Sequence, residues 1–108
     1  MALTILMLID QLNVGGTETH VLSLAKQLQL EGVRVLIGTS GGPLLDTFES
    51  SGLEVLHLPF RSDDPVGKEY QALLERMREL MVSREVSLLH THSIAGIKVA
   101  VQAGQELL

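Results

Sequence analysis

The sequence predicts an α/β fold: a doubly wound parallel sheet of four strands in the order 3-2-1-4. Apolar runs of strand length alternate with segments of helical periodicity, which favours a parallel sheet with right-handed crossovers. The first run, Leu3 to Ile9, is aliphatic except for Thr4. A run without polar alternation is typical of a strand buried on both faces.

Three further strands are predicted over residues 33–38, 53–58 and 86–92. The first helix opens at Gly15-Gly16 and carries an apolar stripe from Val21 to Leu30, with Gly32 just past its end. A short second helix contains Leu44, Leu45 and Phe48 and ends at Gly52.

The third helix has an apolar stripe from Tyr70 to Met81, and Asp64-Pro65 predicts its start. The fourth is predicted from Ile94 to the C-terminus, with Ser93 as its N-cap. We find no repeat or linker, so residues 1–108 are predicted to form one domain.

Composition excludes several classes of function. A net charge of −5 with scattered basic residues argues against nucleic-acid binding. The absence of cysteine excludes disulfides and thiolate metal sites. The first apolar run is too short to cross a bilayer, which takes about 20 residues. We expect a cytoplasmic protein without a transmembrane segment, which leaves peripheral membrane contact of a longer parent protein open.

The glycine pair in residues 13–20 is the first candidate site. A helix N-terminus that follows a strand presents unpaired amides and a partial positive charge to an anion, and glycine lets phosphate oxygens approach the backbone. Glycine also suits a tight turn that needs positive φ. Alternatively, Gly15 and Gly16 only let the chain reverse between strand and helix. The dinucleotide fingerprint does not fit, because His20 occupies its sixth position.

The turn after the fourth strand is the second candidate. In the 3-2-1-4 order it adjoins the glycine turn at the topological switch point, where open α/β sheets bind ligands. His92 ends this strand, where an imidazole can donate to a sugar hydroxyl or a developing charge. We expect His90 to be a core histidine bonded to a backbone carbonyl. Zinc is disfavoured, because the only other imidazoles are His20 and the remote His57.

The residues around the glycine turn allow simpler interpretations. Glu18 lies in the first helical turn with His20, where an acid complements the helix dipole. Asn13 and Asp10 flank the turn and are able to shape it, and Thr17 supplies a hydroxyl. We therefore expect these side chains to shape the loop or to contact a ligand.

Taken together, these motifs resemble the N-terminal part of a family 4 (group 1) glycosyltransferase with the GT-B fold. The resemblance runs across nearly the whole chain and depends on the order and spacing of its motifs. The matching segments are Gly15-Gly16-Thr17-Glu18, residues 22–28, Glu31-Gly32-Val33-Arg34-Val35, Gly52-Leu53-Glu54-Val55, Leu89-His90-Thr91-His92-Ser93 and Ala95-Gly96.

The resemblance implies a partial Rossmann-like domain on the acceptor side of a cleft, facing a second domain that binds a nucleotide-sugar donor. Backbone amides at Gly15 and Gly16 would bind the donor diphosphate, and His92 would contact the reacting sugar as the catalytic residue. Asn13, Thr17, Glu18, His20 and Ser93 would contact the acceptor or shape the loops. Such enzymes are usually retaining and need no metal or other cofactor.

The chain departs from the family pattern in several places. Ser87 stands where Asp is common, and Thr19-His20 follows Glu18 where a basic residue is frequent. The paired glutamates and basic diphosphate ligands of a donor domain are absent. We therefore expect the chain to be a fragment that does not transfer sugar alone, and that self-associates through the open edge of its fourth strand.

The alternative to the glycosyltransferase function is a stand-alone flavodoxin-like module that binds a small phosphorylated ligand without catalysis.

Overall fold

Strands and helices alternate along the chain. The computed structural model describes residues 3–60, 67–93 and 96–108. Within these ranges the strands are β1 (Thr4–Leu8), β2 (Arg34–Thr39), β3 (Glu54–His57) and β4 (Leu88–Thr91). The helices are α1 (Gly16–Leu30), α2 (Leu45–Ser50), α3 (Lys68–Ser83) and α4 (Ile97–Leu107). Two predicted helix starts, at Asp64-Pro65 and at Ile94, lie outside the described residues.

The sheet has the predicted topology. Its order is β3-β2-β1-β4, and each neighbouring pair of strands is parallel. Leu6 in β1 is in register with Leu36 of β2 on one side and with Leu89 of β4 on the other. The doubly wound α/β fold predicted from the sequence is confirmed.

The first strand lies at the centre of two hydrophobic layers, and all five of its residues are buried. Because successive side chains of a strand point to opposite faces, Leu6 and Leu8 pack in one core cluster and Ile5 and Met7 in the other. The first cluster contains the apolar residues of α3 and α4, and the second those of α1 and α2. This burial on both faces explains the unbroken aliphatic run in the sequence.

The end of α1 has the predicted glycine geometry. Gly32 has φ +89°, its N–H donates to the Gln29 carbonyl at 3.1 Å, and the Val33 N–H donates to the Leu28 carbonyl at 3.0 Å. These two bonds form a Schellman motif, which needs a residue in the left-handed region. Gly32 therefore ends α1 and turns the chain into β2.

The prediction that Ser93 caps the last helix is wrong. Gly96 precedes α4, and no side chain caps the helix by a hydrogen bond. Instead, the Thr91 hydroxyl donates to the Ser93 carbonyl at 2.9 Å and accepts the Ser93 N–H at 3.3 Å. The Ser93 hydroxyl itself has no hydrogen-bond partner among the described residues, so it does not cap the helix.

The amino edge of the sheet is held by ion pairs. Glu54 accepts hydrogen bonds from Arg84 at 2.9 Å and from Arg34 at 3.2 Å. Burial alone would raise the pKa of Glu54, but these hydrogen bonds outweigh it and bring the pKa below its ordinary value. The candidate site residues lie at the opposite, carboxyl edge.

Candidate functional site

The turns that follow β1 and β4 begin side by side. Leu8 is in register with Thr91, and the His92 N–H donates to the Leu8 carbonyl at 2.8 Å. This bond extends the ladder between the two strands to their carboxyl ends. The turns that carry the glycine pair and His92 therefore leave the sheet from adjacent positions, as predicted from the strand order.

The glycine turn offers exposed backbone. Gly15 is the N-cap of α1 and Gly16 its first residue, both are exposed, and no side chain caps the helix. A Cβ added to Gly16 would meet no atom within 4 Å. The start of α1 is thus open for a ligand to approach its amides, which lack intrahelical partners.

Positive φ does not explain this glycine pair, contrary to one expectation from the sequence. Gly15 has φ −178°, which is extended backbone that any residue adopts. Neither Gly15 nor Gly16 is among the glycines with positive φ. The chain reverses here without a left-handed residue.

Glu18 is the buried acid of this turn. The residue is only 9% exposed, whereas Thr17, Thr19 and His20 are exposed. Its Oε2 atom accepts the Asn13 N–H at 3.1 Å. Glu18 therefore ties the loop before α1 to the helix, in addition to complementing the helix dipole.

His92 is half-buried at the end of β4. Its Nε2 atom is buried and has no hydrogen-bond partner within the described ranges. Its ring packs against that of His90, with centroids 4.2 Å apart and planes tilted by 35°. His90 is exposed, so the expectation of a core histidine is wrong. The strand ends at Thr91, so both imidazoles lie near its carboxyl end.

The environment of His92 favours a neutral imidazole. Burial lowers the pKa of His92 below its ordinary value, and the His90 and His20 imidazoles lower it further. His20 lies on α1, the helix that follows β1. A neutral His92 keeps both a donor and an acceptor nitrogen at neutral pH.

Ser93 and Gly96 complete the second turn. The Ser93 hydroxyl is buried and, like His92 Nε2, has no hydrogen-bond partner in the described parts of the chain. A Cβ on Gly96 would lie 2.6 Å from the Thr91 hydroxyl, so Gly96 permits the close approach of α4 to β4. Buried polar atoms without partners are uncommon, and these two lie together at the carboxyl edge of the sheet.

The other predicted residues lie around this edge in solvent. Asn13, Thr17 and His20 are exposed, and the Thr19 hydroxyl donates to the Gly15 carbonyl at 3.0 Å. Within the described ranges no group of three His, Asp or Glu side chains could hold a metal ion. His57 is exposed on β3, at the opposite side of the sheet from β4.

Comparison with known proteins identifies the family. The family model described as Glycosyltransferase Family 4 matches residues 14–106, which include the glycine turn, His92 and nearly all of α4. The chain belongs to glycosyltransferase family 4. The family predicted from the sequence motifs is thereby confirmed. No curated protein sequence matches the chain.

A solved structure shows the same fold. The chain is similar to the crystal structure of a glycosyltransferase from Rickettsia africae ESF-5, with a TM-score of 0.81 and 21% sequence identity. The match covers 97% of this chain and 27% of that one. The chain therefore spans about a quarter of the length of the glycosyltransferase that it matches, with the Rossmann-like α/β architecture.

Sequence reasoning missed two features of the site. It did not predict the bond from Asn13 to Glu18, because a side chain that folds back onto the preceding loop leaves no periodic signal. It also did not predict that His90 and His92 pack ring against ring. Their spacing of two residues on a strand was the available signal for the second feature, because such residues share a face.

Proposed function

We propose that the chain is the acceptor-side, N-terminal domain part of a GT-B glycosyltransferase that transfers a sugar from a nucleotide-sugar donor to an acceptor. Family membership supports the reaction class. The observation that carries the site is the unpartnered Nε2 atom of His92, on a residue whose N–H donates to the Leu8 carbonyl at the end of β1. Nothing in the fold or the family match favours the flavodoxin-like alternative.

In this proposal each turn has one role. Exposed amides at Gly15 and Gly16 bind the donor diphosphate, where the helix dipole stabilises the leaving group without a metal. His92, neutral at pH 7, hydrogen-bonds a hydroxyl of the reacting sugar, and Ser93 supplies a second polar atom. Asn13, Thr17 and His20 lie where an acceptor would enter. Retention of configuration at the sugar is part of the proposal and awaits product analysis.

The diphosphate site is tested by titrating the chain with ribonucleoside diphosphates. Because no Lys or Arg lies between Asn13 and His20, we expect weak binding, with a Kd of about 1 mM. Gly16→Val should abolish it, since a branched side chain blocks approach to the amides. Thr17→Val changes the next side chain but no glycine, so it is the matched control and should still bind. If the two variants bind the nucleotide equally well, the proposed site is contradicted.

The chain alone is not expected to transfer sugar, and a cytoplasmic location stays a prediction. Within the described residues, no helix has the length and apolar character to span a bilayer. Residues 1–108 are proposed to form one partial domain of the parent enzyme. A transfer assay on the chain alone should therefore give no product above background.

We also propose that the chain self-associates with a second copy through the free edge of β4. A groove of about 490 Å³ lies between β4 and α4, and its lining contains no charged residue. Leu88 at this edge is 47% exposed, and an unprotected edge strand is a template for pairing.

Sedimentation at increasing concentration tests the self-association. We expect dimers or larger species for the natural chain and a monomer for Leu88→Lys. Leu30→Lys, at an 81% exposed leucine on α1, is the control and should behave as the natural chain does. A natural chain that stays monomeric at high concentration would rule out this interface.

A further inference from the structure

Glu18 is the only charged side chain that is buried among the described residues. It is the third residue of α1, in a turn whose other side chains face solvent. Burying a carboxylate is costly unless it is hydrogen-bonded. Its burial therefore indicates a specific structural role.

The bond that Glu18 makes differs from a usual helix cap. An acid at the third helical position commonly accepts the N–H of the N-cap residue, which here is Gly15. Glu18 instead accepts the N–H of Asn13, two residues earlier. The carboxylate thus closes the loop between β1 and α1 and is not bonded to the amide of the glycine turn.

The same carboxylate lies where a side chain at Gly15 would begin. The backbone of Gly15 is extended, so its φ does not require glycine. A Cβ at this position would lie 3.1 Å from Glu18 Oε1. A larger residue would require the carboxylate, which also bonds Asn13, to shift by a few tenths of an ångström.

We propose that Glu18 is a positioning residue that sets the shape of the glycine turn by accepting the Asn13 N–H and by occupying the space beside Gly15 that a Cβ would need. Its effect on donor binding rests on the function proposed above. With Glu18 in place, the amides at the start of α1 stay accessible to a diphosphate. Loss of the carboxylate releases the loop, which then samples shapes that do not present these amides together.

Hydrogen exchange of the Asn13 amide tests the bond directly. Glu18→Ala should speed its exchange by about tenfold or more, as expected for the loss of a charge-assisted hydrogen bond. Glu18→Gln should restore most of the protection, because its amide oxygen still accepts the bond. Glu31→Ala is the control: it removes a negative charge just past the other end of α1 and should leave the exchange rate of the Asn13 amide unchanged. Unaltered Asn13 exchange in Glu18→Ala would overturn the proposal.

A double-mutant cycle tests the contact with Gly15. Gly15→Ala alone should lower Tm by about 4 °C, through pressure on a packed carboxylate. In the Glu18→Ala background the same substitution should have little effect, because the opposing atom is gone. Equal shifts of Tm in both backgrounds would overturn the contact as the reason for glycine.

Titration of the same variants with uridine diphosphate separates this inference from the proposed function. Glu18→Ala should weaken binding at least fivefold at a temperature where circular dichroism shows it folded, and Glu18→Gln should bind at least as well as the natural chain. If the natural chain binds no nucleotide, the donor site fails, while the Asn13 exchange still decides the role of Glu18. Full binding by Glu18→Ala would overturn the positioning of the donor site.

Discussion

The chain contains two glycine pairs, each after a strand of the same sheet, and the structure gives them opposite roles. Gly42 has φ +139°, and a Cβ there would lie 2.8 Å from the Leu12 carbonyl oxygen. A Cβ on Gly16 would meet nothing within 4 Å. The fold itself requires glycine in the Gly41-Gly42 pair, but it does not require it at Gly16.

The backbone explains this difference. The Leu12 N–H donates to the Gly41 carbonyl at 2.8 Å, and the Leu12 carbonyl accepts the Leu44 N–H at 2.9 Å. The Gly41-Gly42 turn thus binds a segment of its own chain. The backbone at the start of α1 is exposed, and among the described residues no segment from another part of the chain binds Gly15 or Gly16. A glycine that the fold does not need is a better candidate for ligand contact than one that packing requires.

The largest effect is expected at Gly42. Gly42→Ala should lower the free energy of unfolding by about 3 kcal/mol, because it combines an unfavourable φ with backbone atoms that cannot move aside. Urea denaturation measures it. Gly41→Ala, with φ +109° but open space, is the control and should cost less, since it carries only the strain of φ. Equal costs would show that the contact with Leu12 is unimportant.

A smaller loss is expected at Gly96. Its added Cβ would meet the Thr91 hydroxyl, whose χ1 is stiff and whose bonds to Ser93 would break, for a cost of about 1.5 kcal/mol. Inside α4, which follows Gly96, the Cβ of Gly104→Ala meets only Leu89 at 3.8 Å, so this substitution should stabilise the protein slightly. If Gly104→Ala lowers the free energy of unfolding while Gly96→Ala leaves it unchanged, our account of this turn is contradicted.

A modest pH dependence is expected from His92. Because its pKa is lowered in the folded state, the unfolded chain binds more protons, and stability falls as pH drops below about 6.5. The loss is complete only below the folded pKa. His92→Gln should remove this part of the pH dependence when unfolding is measured between pH 7.5 and 5. Identical profiles for the natural chain and the variant would contradict the lowered pKa.

The smallest effect on stability is expected at Gly16. Gly16→Ala should change the free energy of unfolding by no more than about 0.5 kcal/mol, since it meets no atom and alanine favours a helix. Thermal denaturation by circular dichroism measures it. A loss as large as that of Gly42→Ala would mean that the fold needs this glycine after all.

The fold could be predicted from the sequence because its strongest signals are local and repeated. The aliphatic run of β1 indicates burial on both faces, and the alternation with helices then leaves few strand orders. The glycine after α1 was predicted correctly for the same reason, as Gly32 lies two residues past the end of the apolar stripe at Leu30. The positions of the strand ends were predicted less accurately, and β4 is shorter than the apolar pattern of residues 86–92 suggests.

The site was predictable only in outline. Strand order placed the two turns side by side, but which side chains turn inward depends on contacts between residues that no spacing encodes. The burial of Glu18, the exposure of His90 and the different geometry of the two glycine pairs all follow from such contacts. The catalytic role of His92 and the diphosphate role of Gly15 and Gly16 remain proposals.

Amide chemical shifts during titration with a ribonucleoside diphosphate test the central claim most directly, because they report the two glycine pairs in one experiment. The account predicts that Gly16 and His92 shift together along one binding curve, while Gly41 and Gly42 stay unchanged. Shifts confined to the Gly41-Gly42 turn, or a Gly16 response without any at His92, would contradict a shared donor site at the carboxyl ends of β1 and β4.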